Sequence, residues 1–500
     1  MIKKNDTKTR GAERAPQMRR AVSAGAGGPG AKPPAAHFFE GQSNMQNSAG
    51  ASSAQFIKMT QTPIPKLIVT LAAPTVASML VSSIYNLADT FFVGQLKSNS
   101  ATGAVGVVFS LMAILQAFGF MVGMGSGSVI SRLLGQQEGQ KASHIASMGF
   151  FTSLGCGALL GIGGLTFLEP LIRLLGATDT ILPYACDYGR YILAAAPLMC
   201  ASFTMNNMLR YEGKAAFAMI GLTTGGILNI LLDPLFIFVF DMGIAGAALA
   251  TALSQCVSFC LLLAMFLVGK SQLRLSVRLI GRDLPGLKNI LACGLPSFAR
   301  QALASVATAL LNWQAGQCGG DAAVAAMSVV GRIFMFVFAV MLGIGQGFQP
   351  VVGYNYGAGK FNRLRQAFRF TLLLGEGCIC VVALGTFLAA PWLIQAFRND
   401  PQVIEIGVFA CRLQCCAMLL VPLGTCANML FQSTGQSTSA TFLSSLRQGL
   451  YYLPLMLVLP LVIGLRGVQI AQPLADVLTF ITSVPFLVRF FAQLPRQDRE

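Results

Sequence analysis

Charge is scarce in this 500-residue chain. Asp, Glu, Lys and Arg together make up 11%, while 54% of residues are hydrophobic. A soluble globular domain carries roughly 25% charged residues, so too little polar surface exists here to clothe a water-soluble particle of this size. An integral membrane protein follows. Histidine is nearly missing: His37 and His144 are the two present, and neither lies in an apolar run. A histidine metal centre or histidine proton relay is therefore not expected. Cysteine is plentiful, with thirteen, but most lie inside apolar runs and follow neither disulfide nor zinc spacing. They read as small buried hydrophobes. GMGSG at 123–127 ends an apolar helix and no GK[ST] follows it, so no nucleotide loop and no primary pump is indicated. The net charge of +16 comes without a basic stripe interleaved with aromatics, so no nucleic-acid partner is expected.

What the chain has is apolar length. From Lys66 onward twelve segments of about 23–28 residues appear, each able to cross about 30 Å of hydrocarbon at 1.5 Å per residue. They lie near 67–93, 104–130, 146–168, 184–209, 215–240 and 244–268, then 290–316, 323–349, 366–390, 403–431, 437–463 and 468–491. Residues 1–62 are rich in Gly, Ala, Ser, Pro and basic residues and read as a disordered cytoplasmic tail, with Met45 or Met59 as alternative starts. Arg132, Lys141, Arg210, Lys214, Lys270, Arg274, Lys360 and Arg363 all fall in loops on one side, which makes that side, with both termini, cytoplasmic.

The chain also repeats. Pro74 and Pro296 open the first and seventh spans, 222 positions apart. GMGSG at 123–127 echoes GIGQG at 343–347, and Gly213 matches Gly435, again 222 apart. The expected fold is all-α and integral to the membrane: twelve transmembrane helices in two pseudo-symmetric six-helix bundles. An N-lobe spans 63–268, a cytoplasmic linker 269–289, a C-lobe 290–492 and a short tail 493–500. Six spans is an even number, so the halves enter the membrane with the same polarity and leave a cleft between them.

Carboxylates at membrane depth cost about 2.5–3.5 kcal/mol each and mark function. Asp89 and Asp233 are two such acids. Their counterparts by the repeat register fall near Leu311 and Leu455, so only the first half keeps acids at these positions. Tyr85 and Asp89 share a helix face at i, i+4, as do Asn229 and Asp233. Pro234 frees the carbonyl of Ile230 beside them, and Thr251 in the next span adds a hydroxyl. Such oxygens suit a small hard cation, a Na+ held by Asp89, Asn229, Asp233 and Thr251, and serve a proton equally. Hinges are expected at Pro74 and Pro234. Arg300, Arg332 and Arg447 fall in second-half spans with Glu376 as a candidate partner, and Arg300, Arg332 and Glu376 are assigned to the C-lobe side of the cleft.

Taken together, YNLADTFFVG, LNILLDPLFI, GIAGAALAT and QGFQPVVGYNYGAGK resemble the multidrug and toxic compound extrusion (MATE) family over nearly all of residues 64–490. The resemblance implies a MATE-like bacterial inner-membrane exporter, multi-pass and monomeric. It implies bulky, apolar, often cationic drugs and toxic organic compounds as small-molecule substrates, and no cofactor beyond a coupling ion, inward H+ or Na+. It assigns the N-lobe cation site to Asp89, Asn229, Asp233 and Thr251, with Tyr85 beside them. A second branch carries a Glu in the seventh span where this chain has Ser305, so the resemblance is to the branch that uses the N-lobe. The other readings are a lipid-linked saccharide flippase of the same superfamily and an integral membrane enzyme. The enzyme reading lacks any catalytic cluster, and the chain is read as a transporter.

Overall fold

A backbone in hydrocarbon must satisfy its own hydrogen bonds, which leaves helices as the form these apolar segments can take. The computed structural model describes residues 53–95, 99–279 and 283–498. Helix α1 covers residues 53–61. It is followed by α2 (Ile64–Gly94), α3 (Asn99–Gly135), α4 (Gly139–Thr166), the short α5 (Leu168–Leu174), α6 (Leu182–Tyr211), α7 (Ala215–Pro234) and α8 (Gly243–Leu267). The second half holds α9 (Leu284–Gly357), α10 (Phe361–Phe397), α11 (Pro401–Met418), α12 (Val421–Thr434), α13 (Ser437–Ser445), α14 (Tyr452–Ile463) and α15 (Leu465–Gln493). Two single π-turns interrupt this order, Leu235–Val239 after α7 and Leu446–Leu450 between α13 and α14.

The spans expected from hydropathy are all present, but helices and spans do not match one to one. Helix α9 is 74 residues long and breaks at Gly319–Gly320, where Gly320 takes φ +59 and ψ −157, a conformation closed to side chains with a Cβ. It therefore supplies the seventh and eighth spans. Helices α11 and α12 bend by 52° and together form the tenth. Helices α13 and α14, joined through the π-turn, form the eleventh. Counted this way, the described residues make twelve crossings. Trp313 and Trp392, 57% and 73% exposed, sit at the ends of the seventh and ninth spans away from the basic loops, where amphipathic rings favour the interface.

The repeat is visible at atomic detail. Asn206 donates to the carbonyl of Ala218 at 2.8 Å, and Asn428, 222 positions on, donates to that of Ala440 at 2.6 Å. The halves meet along a seam of small residues. A Cβ added to Gly125 would strike the carbonyl of Ile290 and approach Gly294; one added to Gly347, 222 positions later, would strike the backbone of Ala72. The first span thus packs on the eighth and the second on the seventh, so closely that only glycine fits.

Apolar packing divides the molecule by depth. At the end that carries the basic loops, one continuous core runs through both halves, from Leu67, Ile130 and Met208 to Phe348, Leu430 and Phe490. At the opposite end the core splits in two. One part, including Val108, Ile192 and Ala247, belongs to the first half. The other, including Ala326, Ile394 and Met456, belongs to the second. The halves are joined at one end and parted at the other.

The boundaries expected for the tail and linker need correction. The tail reading extended disorder to residue 62, yet α1 lies within it and Met59 is fully buried. The Gln55 amide donates to the Glu212 carbonyl at 3.0 Å, the Met59 carbonyl accepts from Asn355 at 3.2 Å, and the Thr62 carbonyl accepts from Arg363 at 2.6 Å. These bonds tie the segment to both halves. Residues 1–52 lie outside the described residues. The linker is shorter than read, because α9 begins at Leu284. It is also docked: Ser271 Oγ and the Gln272 amide donate to the buried Glu212 carboxylate at 2.6 and 2.7 Å.

Candidate functional site: a buried oxygen cluster in the first half

Pro234 has no N–H and its ring crowds the carbonyl four residues back, so α7 cannot continue as a regular helix. It ends there and passes into the π-turn Leu235–Val239. Asp233 stands at that disruption and is fully buried, with Asn229 one turn earlier at 3% exposure. Thr251 on α8 and Asp89 on α2 are each 4% exposed. Four polar side chains from three spans are thus withdrawn from solvent.

Asn229 Nδ2 donates to Asp233 Oδ1 at 3.1 Å and to Thr251 Oγ1 at 3.2 Å. With both bonds made by the amide nitrogen, Asn229 Oδ1 is left as a free acceptor. It has no hydrogen-bond partner, and the same is true of Asp233 Oδ2 and Asp89 Oδ1. Buried acceptors almost always find a donor, so three orphans in neighbouring spans mark a position completed by something that accepts lone pairs. Asp89 acts electrostatically on Asp233 and on Tyr85, which places the two acids within each other's field. Tyr85 lines a small pocket with Asn229 and Thr251. A hard cation coordinated by oxygens, or a proton shared between carboxylates, fits this donor-poor set. Among the described residues no group of three or more His, Cys, Asp or Glu converges, so a thiolate or imidazole metal centre does not compete for that role.

The structure thus brings Asp89, Asn229, Asp233, Thr251 and Tyr85 to one region. Two further groups there were not read from the sequence. Tyr188 on α6, 1% exposed, lies beside Thr251 and in the field of Asp89, Asp233 and Tyr85. No spacing signals it. Ser254 Oγ, one turn beyond Thr251, is a further buried orphan.

The second-half candidates do not converge. Arg300 borders a cavity, whereas Arg332 is exposed and Glu376 Oε2 has no hydrogen-bond partner. Arg447 pairs not with Glu376 but with Asp476 on α15, at 2.7 Å. Asp476 carries the same sequence signal as Asp233, a lone acid in an apolar run. Pro74 lies inside α2, which continues through it without a break, and Ser78 Oγ donates to the Pro74 carbonyl at 2.8 Å.

Comparison with known proteins adds three findings. The MatE family model matches twice, over residues 74–235 and 296–458, one match per half. The multidrug export protein MepA of Staphylococcus haemolyticus is 26% identical over 414 residues, covering 83% of this chain and 91% of that protein. MepA of Staphylococcus aureus is 26% identical over 415 residues with the same coverage. Among solved structures, the outward-facing conformation of a multidrug resistance MATE family transporter of the MOP superfamily superposes with a TM-score of 0.84. It is 27% identical, and the match covers 88% of this chain and 99% of that one.

Proposed function

Because the chain belongs to the MatE family of multi-pass membrane transporters, we propose that it exports bulky apolar or cationic organic compounds in exchange for inward H+ or Na+. The observation that carries this reading is the set of unpartnered oxygens on Asp89, Asn229 and Asp233. A cation that enters there satisfies them and cancels two buried charges, so occupied and empty states favour different packings of the three spans that hold the site. A ligand moves a conformational equilibrium only through such a difference in affinity. The antiporter uses it to rock one six-helix lobe against the other.

The charge of the basic loops favours a cytoplasmic position for the shared core and for both termini. In that orientation the parted end opens outward, and the molecule stands in its outward-facing state, ready to release cargo and take up the coupling ion. The multidrug export named for the MepA relatives favours this reading over saccharide flipping. As a transporter of this family the protein is not an enzyme.

The test is ethidium efflux from drug-hypersensitive bacteria. Asp89→Asn and Asp233→Asn are each expected to lower efflux at least tenfold with unchanged abundance in the membrane fraction. Efflux that persists in either variant would sink the ion site. Repeating the assay without Na+, and again with the proton gradient collapsed, identifies the ion.

A further inference from the structure

The second half carries a partly open pocket among its spans. Phe338, Leu342 and Leu443 give it apolar walls, and Arg300, Arg447 and Asp476 give it charge. Its charges do not balance. Asp476 is fully committed: it accepts from Arg447 Nε at 2.7 Å, from Gln414 at 2.8 Å and from Gln472 at 3.0 Å. Arg447 is committed as well, with its guanidinium over the Phe338 ring, 4.6 Å from the centroid. Arg300 has no carboxylate partner among the described residues; its one contact is with the Met124 sulfur at 3.9 Å. Arg210 lies within its electrostatic reach and is itself bonded only to the amides of Gln346 and Asn207. The two guanidinium groups that line the pocket therefore answer to a single lining acid.

The local backbone is built to present this charge. Arg447 sits on the π-turn Leu446–Leu450, and the 52° bend between α11 and α12 falls beside the pocket at Leu420 and Val421. π-turns inside helices gather at functional sites. The other π-turn follows Asp233 in the first half, but the two do not correspond in the repeat, since Leu446 matches Thr224 at 222 positions. Each half departs from regular helix beside its own charged group, acid in one and base in the other.

We infer that this pocket binds an amphipathic organic anion whose carboxylate pairs with Arg300. A cation among apolar spans is costly without a counter-charge, and a carboxylate is the group that a guanidinium fork matches. The apolar walls and the open side of the pocket take the body of the molecule. That the anion is cargo rests on the export reading above; that it binds does not.

The experiment is isothermal titration of the purified full chain in zwitterionic-lipid nanodiscs with 1-naphthylacetate and with its neutral amide, 1-naphthylacetamide. The carboxylate is expected to bind at least tenfold tighter than the amide. Arg300→Gln should erase that preference and Arg300→Lys should keep part of it. Equal affinities for the two compounds in the unaltered protein would overturn the inference without any variant being needed. So would a preference that survives Arg300→Gln in folded protein. Loss of carboxylate binding on doping the nanodiscs with phosphatidylglycerol would give the site to a lipid headgroup instead. Ethidium efflux that still depends on Asp89 and Asp233 would show that such a failure leaves the export reading standing.

Discussion

At the residue scale, two buried acid sites handle charge in opposite ways. Asp89 and Asp233 are left with free oxygens, whereas Asp476 is saturated by three donors. Removing one partner of a buried ion pair strands the other, at about 3–5 kcal/mol. Asp476→Asn is thus expected to lower the melting temperature clearly in a thermal scan of detergent-purified protein. Adding Arg447→Met should recover most of the loss, and a double variant no better than the single one would argue that the pair is not an energetic unit. Thr251→Val tests the first half. It removes an acceptor of the Asn229 amide and a hydroxyl beside Tyr188 while keeping the shape. Efflux is expected to fall severalfold with little change in melting temperature; an equal loss of both would make Thr251 a packing residue.

At the element scale, hydrophobic length and the 222-residue register made the spans legible. The pieces within them were less so. The bend of the tenth span is written in Pro422, which offers no N–H to the carbonyl of Met418, where α11 ends, but its 52° angle is set by what packs on either side. Helix α1 was read as tail because nine residues (53–61) hold too little apolar periodicity to stand out. Its burial is supplied by Glu212, Gly213 and Asn355, residues distant in sequence. Likewise Asp89, Asn229, Asp233 and Thr251 were found because duplication made their one-sidedness visible, whereas Tyr188 reaches the cluster only through the packing of α6. Removal of residues 1–62 is expected to lower the melting temperature, whereas removal of residues 1–52 should leave it unchanged. Equal stability of the two truncations would mean that α1 braces nothing. For α2, Pro74→Ala is expected to reduce efflux more than it reduces protein in the membrane, since the ring removes a helix hydrogen bond where a hinge would bend. A parallel loss of both would assign Pro74 to folding.

At the scale of the whole molecule, the glycine seam and the shared core hold one end shut while the other end stands parted. Gly347→Val would drive a side chain into the Ala72 backbone and is expected to lower ethidium efflux severalfold, because the closed seam can no longer form. Unchanged efflux at unchanged abundance in the membrane would mean that close approach of the first and eighth spans is not needed during turnover.

The splitting of one core into two has a pharmacological corollary. On the outward-facing reading proposed above, the space between the parted ends is reached from outside and closed from within. A rigid molecule too bulky to traverse the membrane could settle between the parted walls from outside and act as a doorstop, halting the cycle without ever entering the cell.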